Sequence, residues 1–130
     1  MNGLATRDPD DTRNRILDAA FSRFVEQGFA DVSLREIAAQ SGVTKSLIHH
    51  HFGSKQALWE AVKERALGRY ADEQLAELES AENPGADLLE RGVVNYFRFL
   101  RDNPQVVRLL AWTHIEGDES CGEMDAELVR

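Results

Sequence analysis

Apolar residues recur at three- and four-residue spacing along most of this chain, with hardly any strand-type alternation, which predicts a succession of helices. In "TRNRILDAAFSRFVEQGF", Ile16, Leu17, Ala20, Phe21, Phe24 and Val25 fall at helical spacing, and Thr12 or Asp11 is an available N-cap. Gly28 supplies the left-handed residue that commonly ends a helix, and Phe29 can fold back onto the apolar face. In "SLREIAAQSG", Ser33 and Glu36 have the spacing of a capping box, Leu34, Ile37 and Ala38 form the inward face, and Gly42 is the stop. One residue later Thr44 can cap "KSLIHHHF", whose Leu47, Ile48 and Phe52 give it something to bury. Gly53 ends that helix and Ser54 caps the next, a long one in which Leu58, Ala61, Val62, Ala66 and Leu67 mark the buried side.

The strongest breaker is "NPG" at Asn83–Gly85, so a domain boundary is expected there or within the long helix before it. Beyond it, "ADLLERGVVNYFRFLRDN" places Leu89, Val93, Tyr96, Phe97 and Leu100 on one face. Asn103-Pro104 restarts a helix, and "QVVRLLAWTHI" is apolar enough to be buried on more than one side. The last residues, "EGDESCGEMDAELVR", are acidic and poor in core formers, so they are expected to fray.

The chain of 130 residues is 42% hydrophobic and 29% charged, which suits one compact domain, or one plus the start of another. No apolar run approaches the roughly 20 residues that span a bilayer, and the first residues lack a secretory pattern, so a cytoplasmic location is expected. Cys121, the single cysteine, has no partner for an internal disulfide or a zinc pair and reads as a free thiol. The net charge of −8 is unevenly distributed. Residues 1–55 carry seven Lys/Arg and seven Asp/Glu, so the whole excess lies in 56–130. Between Glu36 and Glu60 there is no carboxylate at all, the local relief that a phosphate-facing surface requires.

That stretch contains two short helices around a tight glycine turn, with a longer helix before them to brace the pair. In a helix-turn-helix the second helix enters the DNA major groove with its N-terminal residues nearest the base edges. Here those are Thr44, Lys45 and Ser46, all hydrogen-bond donors, and Lys45 can reach guanine O6/N7 or a phosphate.

From about Thr12 to Val62 the sequence resembles the N-terminal domain of the tetracycline-repressor (TetR-type) family of bacterial transcription regulators. The resemblance is carried by "A…F…GF" at the end of the first helix, then "SLREIA…SGV" and "HFGSKQAL", in order and at the right spacing. It implies an all-α protein with a three-helix DNA-binding domain at 1–54. A helical ligand-binding and dimerisation region would follow at 55–130, opening with a connecting helix at about 55–81. Family members run well beyond 130 residues, so this second region is expected to be incomplete. Residue by residue, the resemblance puts Ser33 and Arg35 at the phosphate backbone and Thr44 at the start of the recognition helix. Lys45 takes a variable base-reading place, and Lys55 faces a phosphate with the N-terminal amides of the fourth helix. His49 stands where the family usually has Tyr, His51 where it has Tyr or His, and His50 at another exposed recognition-helix position. Ser46 replaces the common Gly, which adds a side chain close to the groove.

The implied function is sequence-specific binding of double-stranded DNA at a pseudo-palindromic operator by a homodimer. The expected activity is repression relieved by a small-molecule effector. The alternative is a helical interaction module that keeps the fold, lacks specific DNA binding and exposes apolar surface on the helices at 87–102 and 104–116. Tyr70, Tyr96, Phe97, Phe99, Trp112 and His114 are the aromatic and polar mix from which an effector pocket can be built. Adjacent residues of a helix point about 100° apart, so His49, His50 and His51 cannot converge on one metal ion. His51, next to Phe52, is as well suited to packing against the first helix as to a phosphate. Pairs such as His114 with Glu116, or Ser46 with His49, lack a nucleophile elbow, an orienting third group or a phosphate-cradling loop. No enzyme, metal or cofactor is therefore expected.

Overall fold

A computed structural model describes residues 9–80 and 85–117, all in helices or the short links between them. The helices are α1 (Pro9–Gln27), α2 (Leu34–Ser41), α3 (Lys45–Phe52), α4 (Lys55–Ser80), α5 (Ala86–Asp102) and α6 (Pro104–Ile115). Asn83-Pro84 of the expected breaker, Cys121 and the acidic tail from 118 onward lie outside the described residues. The chain forms two compact units, Met1–Val62 and Lys63–Arg130, and the division falls inside α4.

The first unit is built around α1. Ile16, Leu17, Ala20 and Phe24 line one side of it and are buried together with Val32, Ile37, Ile48, Leu58 and Val62. Trp59 is the largest of the core side chains, only 2% exposed. Its ring meets Phe24 edge-on at 4.9 Å and lies 5.6 Å from Phe29, which has folded back past Gly28 as its position suggests. One expectation needs correction. α1 starts at Pro9, so Thr12 is not a cap but a buried residue inside the helix, and Asp10 and Asp11 occupy the first turn, where carboxylates suit the dipole. Arg13 and Arg15 both reach across to other helices. Arg13 stacks its guanidinium 4.9 Å above the Phe52 ring of α3, and Arg15 donates to the Ser41 carbonyl at the end of α2 at 2.8 Å.

That end is where α2 turns into α3. Gly42 adopts φ +74°, and its amide and that of Val43 both donate to the Ala38 carbonyl, at 2.9 and 3.1 Å. A side chain here is disfavoured twice. The left-handed conformation strains an L-residue, and a Cβ would stand 3.0 Å from Nη2 of Arg15.

In the second unit, the later part of α4 packs along α5. Glu77 accepts from Arg91 Nε at 2.9 Å and from Asn95 Nδ2 at 2.8 Å, and the Tyr70 ring stacks on Phe99 at 4.9 Å. α6 buries Val106, Leu109 and Thr113 on one side only, while Val107 and Ile115 are exposed, so burial on more than one side does not hold. Among the described residues no helix is long and apolar enough to cross a membrane.

Candidate nucleic-acid interface

Three consecutive helices of the first unit begin on hydroxyl caps, and each cap is formed. Ser33 Oγ accepts from the Glu36 amide at 3.1 Å, Thr44 Oγ1 from the Leu47 amide at 3.1 Å, and Ser54 Oγ from the Ala57 amide at 3.0 Å. A hydroxyl that accepts in this way keeps its own proton free to donate outward. Ser33, Thr44 and Ser54 are all exposed. Ser54 was read only as a cap; its place beside Lys55 adds a third outward hydroxyl to the set.

α3 is anchored by one fully buried side chain, Ile48, with Leu47, His51 and Phe52 partly covered. The anchoring leaves Thr44, Lys45, Ser46, His49 and His50 exposed, so the residues predicted to face DNA do share the uncovered side of the helix. Lys45, and Arg35 on α2, have no intramolecular partner among the described residues and present unpaired positive charge. His49 Nδ1 lies 3.3 Å from the Gly53 carbonyl, and the Gly53 amide closes the helix on the His49 carbonyl at 2.9 Å. The ring is therefore tied to the end of α3, with its other edge outward. His50 and His51 meet edge-to-face at 5.4 Å, and His51 sits 6.4 Å from Phe52. His51 is partly covered, and its ring contacts are with these two neighbours on its own helix. Lys55 is held against the turn that ends the first helix. Its ammonium lies 4.3 Å over the Phe29 ring and 3.4 Å from the Ala30 carbonyl. Both neighbours favour positive charge at that point.

The residues marked for an effector pocket do not all come together. Tyr70 lines a cleft of about 480 Å³ between α4 and α5, shared with Arg69, Glu73, Asn95, Arg98 and Phe99. Tyr96 lies 5.3 Å from Tyr70, and burial, followed by this neighbour, pushes the Tyr70 phenol above its ordinary pKa. Phe97 lies on another face of α5 and is 67% exposed. Trp112 and His114, on α6, are not among the residues that line the cleft. Phe99, one of the aromatics read as pocket material, does join Tyr70 there, whereas Arg69 and Arg98 have no sequence signal that sets them apart from other arginines on helix surfaces.

Residues 16–62 match the family model described as bacterial regulatory proteins, tetR family. Over 113 residues, 87% of its length, the chain is 28% identical to an HTH-type transcriptional repressor of Streptomyces coelicolor, and it spans 55% of that protein. A TetR-like transcriptional regulator from Rhodococcus sp. RHA1 superposes with a TM-score of 0.67 at 23% identity, covering 95% of this chain and 72% of the other, a likeness of fold. A γ-butyrolactone receptor (ArpA-like protein) gives a TM-score of 0.66 at 26% identity, over 85% of this chain and 56% of the receptor.

Proposed function

We propose that this chain, whose residues 16–62 match the family model of tetR bacterial regulatory proteins, is a sequence-specific DNA-binding transcription regulator. The specific reading is a cytoplasmic repressor that leaves its operator when a small molecule binds the second unit. One observation carries it: α3 exposes Thr44, Lys45, Ser46, His49 and His50 together, within a stretch free of carboxylates from Ile37 to Trp59. On this reading Arg35 and the hydroxyls of Ser33 and Ser54 supply donors for phosphate oxygens, which fix register, and Lys45 reads a base edge.

Recognition of a pseudo-palindrome requires two copies with their recognition helices roughly 34–36 Å apart. An effector that binds better to a pair with another spacing shifts the population away from DNA. The cleft lined by Tyr70 and Phe99 offers both aromatic surface and polar groups. A structural relative that is named a receptor for a small lactone supports an effector of that size.

Recovery of genomic fragments by the purified protein at moderate salt tests the reading. A pseudo-palindrome should be enriched, and a flat distribution of fragments would refute specific recognition. On that site Lys45→Ala should weaken binding by about 1–3 kcal/mol and relax the preference at one base pair. Uniform weakening across sequences, with a shallower salt dependence, would reassign Lys45 to phosphate. An unchanged affinity would show that α3 does not lie in the groove as proposed.

A further inference from the structure

The two ends of the short helices are treated differently in the first unit. Their positive N-terminal ends open on the exposed caps Ser33 and Thr44. Their C-terminal ends are met by arginines of α1. α2 has no basic residue in its last turn, and the cation that suits a helix end comes from Arg15, whose Nη2 donates to the Ser41 carbonyl at 2.8 Å. Arg13 lies over the ring of Phe52, the last residue of α3. A third arginine, Arg23, bonds Gln40 of α2 at 2.6 Å, but that is an exposed pair of side chains, which water can replace.

The Arg15 bond is of another kind. It is partly buried and ends on the main chain, so it fixes backbone and not a second side chain. The last carbonyls of a helix have no partner within it. Here Ala38 receives the amides of Gly42 and Val43, Ile37 receives the Ser41 hydroxyl at 2.7 Å, and Ser41 receives Arg15. Gly42 leaves the room for this: a Cβ there would stand 3.0 Å from Nη2. Only Gly42, Val43 and Thr44 separate the Ser41 carbonyl from Lys45, the first residue of α3. A displacement at Ser41 is therefore passed to α3, which Ile48 alone anchors as a fully buried side chain.

We propose that Arg15 is a positioning residue for DNA recognition. It fixes the offset of α3 from α2 through the Ser41 carbonyl, and it does so without touching DNA. On the proposed docking, Ser33 and Arg35 of α2 take phosphates while Lys45 of α3 reads a base edge. Both sets of bonds form at once only at one offset, because a hydrogen bond weakens steeply once its geometry is lost. Arginine suits the post, since its planar fork is rigid and its bond to a carbonyl is charge-assisted. The inference rests on the regulator reading, in which both helices meet the same duplex.

The test uses the full chain and the site that it enriches, with the active concentration of each variant fixed by titration. Arg15→Met keeps most of the stem and removes the donor. It should weaken operator binding by about tenfold and flatten the preference at the base pair that Lys45 reads. The slope of log affinity against log salt should stay as it is, whereas loss of a phosphate contact would lower it by about one. Arg15→Lys should recover most of the loss, since one ammonium hydrogen serves a single carbonyl. Gly42→Asn reaches the same bond from its other side. Asparagine tolerates the left-handed conformation, its Cβ crowds Nη2, and the charge is retained. It should reproduce the relaxed preference, and adding it to Arg15→Met should cost less than the product of the two single effects. If Arg15→Met does not fold, Gly42→Asn decides alone. A salt slope lower by about one would make Arg15 a phosphate contact and overturn the proposal. An unchanged preference, or a loss that a smaller active fraction accounts for, would overturn it equally. If the unaltered protein enriches no fragment, the regulator reading itself fails and the inference falls with it. If it enriches a site that the variants bind as well, only the inference fails.

Discussion

Trp59→Ala should destabilise the first unit by about 3–5 kcal/mol, a large share of the roughly 5–15 kcal/mol that holds a typical domain together. The indole is 2% exposed and stands against both Phe24 and Phe29, so its removal leaves a cavity where three aromatic rings meet. Edge-to-face contact adds about 0.5–1.5 kcal/mol to what burial alone supplies. Trp59→Phe, which retains a ring on that site, should lose distinctly less. Urea unfolding followed by far-UV circular dichroism separates the two variants. A loss below about 1 kcal/mol for the alanine variant would mean that the rings are not the centre of this core.

The second large effect is expected at Ile48. It is the single fully buried residue of α3, 1% exposed, and α3 is only 8 residues long. Ile48→Ala should cost about 2–5 kcal/mol. With it goes the seat of the helix that carries Lys45, Ser46, His49 and His50, so operator affinity should fall together with stability. That pairing distinguishes Ile48 from Lys45, whose replacement should change DNA binding and leave the unfolding midpoint in place. If Ile48→Ala left the urea midpoint unmoved, α3 would have to be held by Leu47 and Phe52, and the anchoring argument would be wrong.

Local signals were the legible ones. Ser33, Thr44 and Ser54 cap the helices that their spacing assigns to them, and Gly28, Gly42 and Gly53 end helices with positive φ, because these choices depend on a few neighbouring atoms. Trp59 was missed as a core residue because the face drawn through Leu58, Ala61, Val62, Ala66 and Leu67 leaves it at the edge. A broad ring can reach inward from there. The bond from Arg15 to Ser41 spans 26 residues and the stacking of Arg13 on Phe52 spans more, and no local pattern encodes which distant group a long side chain will find. On α5 the pattern grouped Leu89, Val93 and Phe97 correctly. Whether a stripe is covered depends on what lies opposite, which is a property of the assembled molecule. The same limit explains why Tyr70 and Tyr96 came together while Phe97, Trp112 and His114 did not join them.

The capping hydroxyls carry a consequence for how freely these positions can drift. As helix caps, Ser, Thr, Asp and Asn are close to interchangeable. On the proposed docking, Ser33, Thr44 and Ser54 must also offer a proton to an anion, and a carboxylate cannot do so and repels phosphate besides. The set of tolerated residues at each is then the overlap of two unrelated requirements. Aspartate, a silent replacement by any measure of folding, becomes a loss of function that leaves the protein as abundant and as helical as before.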